Sequence, residues 1–229
     1  LSRSGKFSPI AEKDLIGNPH KPEEVHFKSW RMTGVDHLVI GAVQHNGDGK
    51  YQVQFRLFDI LKGEQVLGYS FSATKNSLRS VAHRISDHII ENLTGLSGAF
   101  DARIAYVTAE QNKTKKSADI VYLLQVADTD GYNPQTLLTS DEPIMSPAWS
   151  PDGKHVVYVS FEHDKPEIFI HNIYTASREV VSKFPGINGA PVWSPDGTRL
   201  ALTLSKDGNP DIYVLSLKDK SLRRITRHW

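Results

Sequence analysis

The chain has 229 residues, 39% of them hydrophobic, and its 27 basic and 26 acidic side chains leave a formal net charge of +1. That balance gives no reason to expect nucleic acid or an acidic membrane as partner, and the length fits one large or two small domains. The absence of cysteine excludes a disulfide framework, a thiolate nucleophile and a cysteine-ligated zinc site, and no apolar run approaches the roughly 18 residues of a membrane-spanning helix.

The chain opens on Leu1-Ser-Arg-Ser-Gly-Lys-Phe7 without an initiator methionine, as though a longer protein had been cut. A short helix is expected near Ala11–Leu15. Val35–Val43 reads as a buried strand, Asn46-Gly-Asp-Gly49 as a hairpin turn in which glycine takes positive φ at no steric cost, and Tyr51–Phe58 as a half-buried alternating strand. After a turn at Gly63-Glu64, Gln65–Phe71 pairs back to complete a three-stranded meander. Leu78, Val81, Ala82, Ile85, Ile89 and Leu93 then recur at three and four residues and predict an amphipathic helix, with Asn76 or Ser77 as N-cap and Gly95 as stop.

From Phe100 onward the helical period is gone. Trp149-Ser-Pro-Asp-Gly153 recurs unchanged as Trp193-Ser-Pro-Asp-Gly197, 44 residues later, a spacing in the range of β-propeller blades. Each copy leads into two apolar strands: His155–Phe161 and Glu167–Ile173 after the first, Arg199–Leu204 and Asp211–Leu217 after the second. Arg103–Thr108 and Asp119–Val126 align with those strands, so Gly98-Ala99-Phe100-Asp101 reads as the degenerate opening of a first blade. The division is therefore an α+β domain over residues 1–98 and blades 1 to 3 of an all-β propeller over residues 99–229. The second blade is expected from about Pro147 to Phe184 and the third from Pro191. Closed propellers have about 4–8 blades, and the 44-residue spacing puts the next tryptophan turn past Trp229, so the chain reads as a piece of a longer, incomplete propeller.

The order of these parts resembles the TolB family, the periplasmic component of the Tol–Pal system of Gram-negative bacteria. Ser4-Gly5-Lys6-Phe7 is similar to the family's first helix running into its exit strand. Leu93-Thr-Gly-Leu-Ser-Gly-Ala-Phe100 followed by Arg103-Ile-Ala-Tyr-Val107 resembles its interdomain junction. Asp128–Asn133 resembles the hairpin of its first blade, and Met145–Gly153 and Asn188–Gly197 two consecutive blade openings. The resemblance implies six blades in the full-length protein and a non-catalytic adaptor without cofactor or metal. It implies a role in outer-membrane integrity and cell division, with colicins as possible users of the same system. Its implied partners are the peptidoglycan-associated lipoprotein Pal, bound at one mouth of the propeller, and TolA, reached through an N-terminal segment that precedes the residues present here.

Loops entering the blades are the candidates for Pal contact, because recognition is placed on loops held by a rigid scaffold. Here they are Pro143, Ile144, Met145 and Ser146 before blade 2, and Ile187, Asn188, Gly189 and Ala190 before blade 3. Ile187 stands where the family commonly has histidine, leaving an apolar contact in place of a hydrogen bond. Trp149 and Trp193 suit packing between blades better than a binding surface. Pro151 with Gly153, and Pro195 with Gly197, form turns that Asp152 and Asp196 cap. Asp128-Thr-Asp130-Gly131 lacks the further ligands of a calcium loop. His83 and His88, five apart on the helix, do not make a zinc pair. Lys113-Thr-Lys-Lys116 reads as a solvated loop, and the sequons at Asn92 and Asn112 as chance matches. The competing reading is the propeller lid of a prolyl-oligopeptidase-like serine peptidase; the nearest approach to a nucleophile elbow is Gly95-Leu-Ser97-Gly98, one residue short and at a helix end.

Overall fold

The computed structural model describes residues 1–111 and 120–227; the basic cluster at Lys113–Lys116, the Asn112 sequon and the expected strand start at Asp119 lie outside them. The chain divides into two compact units, Leu1–Ala102 and Arg103–Trp229.

In the first unit, β1 (His37–His45), β2 (Lys50–Asp59) and β3 (Glu64–Thr74) form an antiparallel sheet in chain order. Alternation decides its two faces. Val53, Phe55 and Leu57 of β2 turn toward α2 (Leu78–Thr94), where Val81, Ile85 and Ile89 cover them. Ile40 and Phe58 turn the other way, onto Val25 and Trp30. Trp30 belongs to α1 (Phe27–Arg31), a one-turn helix not foreseen in the sequence. Gly95, at φ 70°, ends α2 by returning its N–H to the Glu91 carbonyl, the left-handed stop that glycine adopts without a Cβ penalty.

Three local expectations need correction. Glu12–Asp14 makes a single 3-10 turn where a helix was expected, and Ser2–Ser4 another, with no strand over residues 5–11. Both segments are too short and too polar to gain from burying a face. The Ser77 hydroxyl accepts from the Thr74 N–H at 2.9 Å and makes no cap bond to α2, because a 3-10 turn (Lys75–Ser77) already leads into the helix.

The second unit is three antiparallel sheets, each a meander in chain order. Blade 1 is β4 (Arg103–Gln111), β5 (Ile120–Asp128) and β6 (Gln135–Ser140). Blade 2 is β7 (Ile144–Trp149), β8 (His155–Ser160), β9 (Glu167–Asn172) and β10 (Arg178–Ser182). Blade 3 is β11 (Asn188–Trp193), β12 (Arg199–Leu204), β13 (Asp211–Ser216) and β14 (Leu222–Arg224). The blades thus open at Ile144 and Asn188, three residues before the expected Pro147 and Pro191. The earlier residues already pair with the next strand, Ile144 with Ser160 and Asn188 with Leu204. The stack is open and does not close on itself.

Two apolar layers hold it. Val157, Val159, Ile168 and Ile170 of blade 2 pack on Leu200, Leu202, Leu204, Tyr213 and Leu215 of blade 3. On its other face, Val156, Tyr158 and Phe169 pack on Leu124 and Val126 of blade 1. His171 breaks this pattern. It occupies the position that the 44-residue repeat gives to Leu215, is 2% exposed, and neither ring nitrogen has a hydrogen-bond partner. Burial, with the nearby Arg178 charge adding to it, pushes its pKa below the usual histidine value.

An unpaired buried polar group costs about 1–3 kcal/mol, so His171→Leu is expected to stabilise the second unit. The gain should grow below pH 6.5. There the unfolded histidine binds a proton that the folded one refuses, so the wild type loses stability as pH falls, by less than about 1.4 kcal/mol per pH unit. Urea midpoints at pH 7.5 and 5.5 check this: the wild type should drop more between the two than His171→Leu.

Candidate protein-interaction site

The first strands of blades 2 and 3 carry the same irregularity 44 residues apart. Pairing of β7 with β8 slips between Met145 and Ala148, and pairing of β11 with β12 between Gly189 and Val192. At each slip one non-glycine residue is left-handed, Ser146 at φ 52° and Ala190 at φ 46°. This conformation costs an L-residue about 1–2 kcal/mol. Each bulge is followed by proline, which withholds an N–H from the ladder. The bulges push short side chains outward: Met145 is 53% exposed, and Ser146 and Ala190 are exposed. β7 and β11 are also edge strands of their sheets, so the bulged backbone borders solvent.

The candidate residues therefore divide. The expected loops are in fact strand residues, apart from Pro143 and Ile187, because pairing begins at Ile144 and Asn188. Met145, Ile187, Gly189 and Ala190 offer exposed or half-buried surface. Pro143 is half-buried, and Ile144 lies inside the core between blades 1 and 2. Asn188, in the repeat position of Ile144, is 1% exposed. Its Oδ1 accepts from the Ser182 hydroxyl at 2.6 Å and the Phe184 N–H at 3.0 Å, and its Nδ2 donates to the Phe184 carbonyl at 2.6 Å. It clamps the crossing from blade 2 to blade 3. The Ile187 N–H donates to the Ser205 hydroxyl at 2.7 Å, and a Cβ on Gly186 would lie 2.3 Å from that same oxygen. The approach to Ala190 is therefore fixed at both ends. Nothing in the sequence marks Ser205 for this part; only the fold brings it there.

The two Trp-Ser-Pro-Asp-Gly segments form identical turns. In the first, the Ser150 hydroxyl donates to Asp152 Oδ1 at 2.5 Å, which also accepts the Lys154 N–H at 3.0 Å. In the second, Asp196 Oδ1 accepts from the Ser194 hydroxyl at 2.5 Å and the Thr198 N–H at 3.0 Å. The serine hydroxyls, with these N–H groups beside them, hold both carboxyls below their ordinary pKa, Asp196 far below. Gly153 and Gly197 close the turns at φ 66° and 70°, with Pro151 and Pro195 fixing their first corners. Trp193 donates from Nε1 to the Ala148 carbonyl of the preceding blade at 3.3 Å. Trp149 sits against blade 1 under the Arg103 guanidinium, 5.7 Å from its ring centre, and its buried Nε1 has no partner. A cleft of about 510 Å³ separates the two turns, lined by Asp152, His155, Glu179, Trp193 and Asp196. Among the described residues no three histidine or acidic side chains converge as a metal site requires. His88 stacks on Tyr69 at 4.5 Å, and Ser97 follows a helix C-cap rather than a strand.

This is a β-propeller stack whose opening strands present a rigid, strained surface, behind a small α/β unit. A family model for the TolB beta propeller domain matches residues 90–229, and one for the TolB amino-terminal domain residues 1–66. The chain belongs to the TolB family. The "Tol-Pal system protein TolB" of Xanthomonas oryzae pv. oryzae (strain MAFF 311018) is 48% identical over 190 residues, 83% of this chain and 42% of that protein. Its counterpart in Xanthomonas campestris pv. campestris (strain B100) is 47% identical over the same span. The crystal structure of TolB from Acinetobacter baumannii superimposes with a TM-score of 0.85 at 37% identity, covering 95% of this chain and 53% of that one. The chain thus spans about half the length of its relatives.

Replacing Asn188 by alanine would leave the buried Phe184 amide groups without partners, at about 2–3 kcal/mol. Ala190→Gly should instead raise stability by about 0.5–1 kcal/mol, the strain relieved less glycine's larger entropy loss. Chemical denaturation of both variants reads the two signs.

Proposed function

We propose that this chain is a non-catalytic interaction part of the Tol–Pal system in the periplasm and docks the lipoprotein Pal through its blade-opening bulges. Met145, Ile187, Gly189 and Ala190 supply the contact, with Pro143 at its border, while Ile144 and Asn188 set its shape from within. The reading is supported by the relatives' printed name, "Tol-Pal system protein TolB", and by one observation above the rest. Two non-glycine residues are held left-handed at equivalent, solvent-facing positions, and strain of that kind collects at binding clamps. The site recognises by surface complementarity: apolar anchors within a polar rim. A link to TolA, and use of the system by colicins, belong to the same proposal at the level of the whole protein.

Calorimetric titration of the folded chain with the soluble domain of Pal should give saturable one-to-one binding. Ala190→Trp should weaken it at least about tenfold with an unchanged circular dichroism spectrum, since a bulky side chain on the bulge breaks complementarity. Unchanged affinity in that variant would remove the bulge from the interface.

A further inference from the structure

β1 is the outer strand of the first unit's sheet, and its far edge has no strand beside it. Helix α2 covers β2 and β3 on one face but stops short of β1. Val39 and Val43, on that face, remain 43% and 62% exposed. None of the usual protections of an edge is present: β1 has no Lys, Arg, Pro or bulge, the devices that keep edges from pairing. The Gly41 carbonyl lies 3.4 Å from His20 Nδ1, a group outside the sheet, which puts the Gly41 carbonyl on the free side. In an antiparallel ladder every second residue turns both its N–H and its C=O to the same side. His37, Val39, Gly41, Val43 and His45 therefore carry the unpaired backbone groups of the edge, and they are also the residues with exposed side chains.

The sequence of this edge is nearly its own reverse. Read outward from Gly41, His37-Leu-Val-Ile-Gly-Ala-Val-Gln-His45 places valine at 39 and 43 and histidine at 37 and 45. We infer that β1 is a self-complementary edge that pairs antiparallel with β1 of a second copy of this chain, about a two-fold axis through Gly41. In that register Gly41 faces Gly41, Val39 faces Val43 of the second copy, and His37 faces its His45. Each pair exchanges both backbone bonds. The axis falls on the one position of β1 where a side chain has no room, since a Cβ on Gly41 would lie 2.8 Å from the Gln54 carbonyl oxygen. The two three-stranded sheets become one of six strands. The groove of about 690 Å³ beside His37 and Val39, walled by Ile89 and Leu93 of α2, borders the incoming Val43 and His45. An isologous contact of this kind closes on itself and does not propagate into a fibre.

Sedimentation equilibrium of the full 229-residue chain should give twice the monomer mass. Val39→Lys combined with Val43→Lys sets like charges opposite one another and should raise the dissociation constant at least about 100-fold, whereas Val43→Thr should leave it within a few-fold. The absence of native cysteine allows a direct test of register with a Val39→Cys, Val43→Cys chain. Two Cα atoms four residues apart on a strand are about 13 Å apart, beyond the about 7 Å that a disulfide tolerates. Oxidation should therefore yield a covalent dimer and no intrachain bridge. A chain that stays monomeric at its highest soluble concentration overturns the inference. So does a dimer that ignores the lysine pair and gives no 39–43 cross-link, a result that would place association on other surfaces such as the blade faces.

Discussion

Each four-stranded blade of this protein is apolar on both faces, and a sheet of that kind is stable only when something covers both. Blade 2 is the clearest instance, with Val157 and Ile170 turned to blade 3 and Val156 and Phe169 turned to blade 1. At about 25 cal/mol per Å² of apolar surface, these layers outweigh any single hydrogen bond in the unit. The tryptophan turns, the Asn188 clamp and the bulged first strands are all arranged to let one blade sit on the next. Even the departures follow from it. Trp149 lacks the carbonyl partner that Trp193 finds on Ala148, because the blade before it opens on a degenerate segment without the tryptophan turn.

Much of this was legible before any coordinates. The 44-residue recurrence identified the blades, and alternation in Tyr51–Phe58 identified the meander, because both patterns are direct images of which face is buried. The change to a spacing of three and four at Leu78 marked α2 for the same reason. What stayed hidden has no periodic signature. A 3-10 turn at Glu12–Asp14 and the short α1 are too brief to show a period. The bulges at Ser146 and Ala190 are a matter of register, which depends on where the partner strand lies. The blade starts were misplaced by three residues because Pro147 and Pro191 read as boundaries, whereas each sits inside an edge strand where its missing N–H is tolerated.

The site was legible in outline and not in detail. Residues 143–146 and 187–190 were singled out by resemblance and by their place ahead of each blade. Which of them face solvent could not be read, since Ile144 and Met145 are both apolar neighbours, yet one is core and the other exposed. Asn188 shows the limit most plainly. A polar residue beside glycine suggests a surface turn, but this one is buried and fully engaged with Ser182 and Phe184. His171 is the reverse case, a polar residue in an apolar repeat position with nothing to bond.

Every sheet in the molecule pairs its strands in the order in which they occur in the chain. On a ribosome this sets a timetable. At about 5–20 residues per second, a 44-residue blade takes roughly 2–9 s to emerge, while a hairpin forms in about 1–10 μs. Each blade can therefore be fully paired long before its successor exists, and during that interval its forward face is bare. The fold assembles by local steps but leaves an apolar wall open to the cell at each pause, so a chaperone that binds such walls would be needed once per blade rather than once per protein.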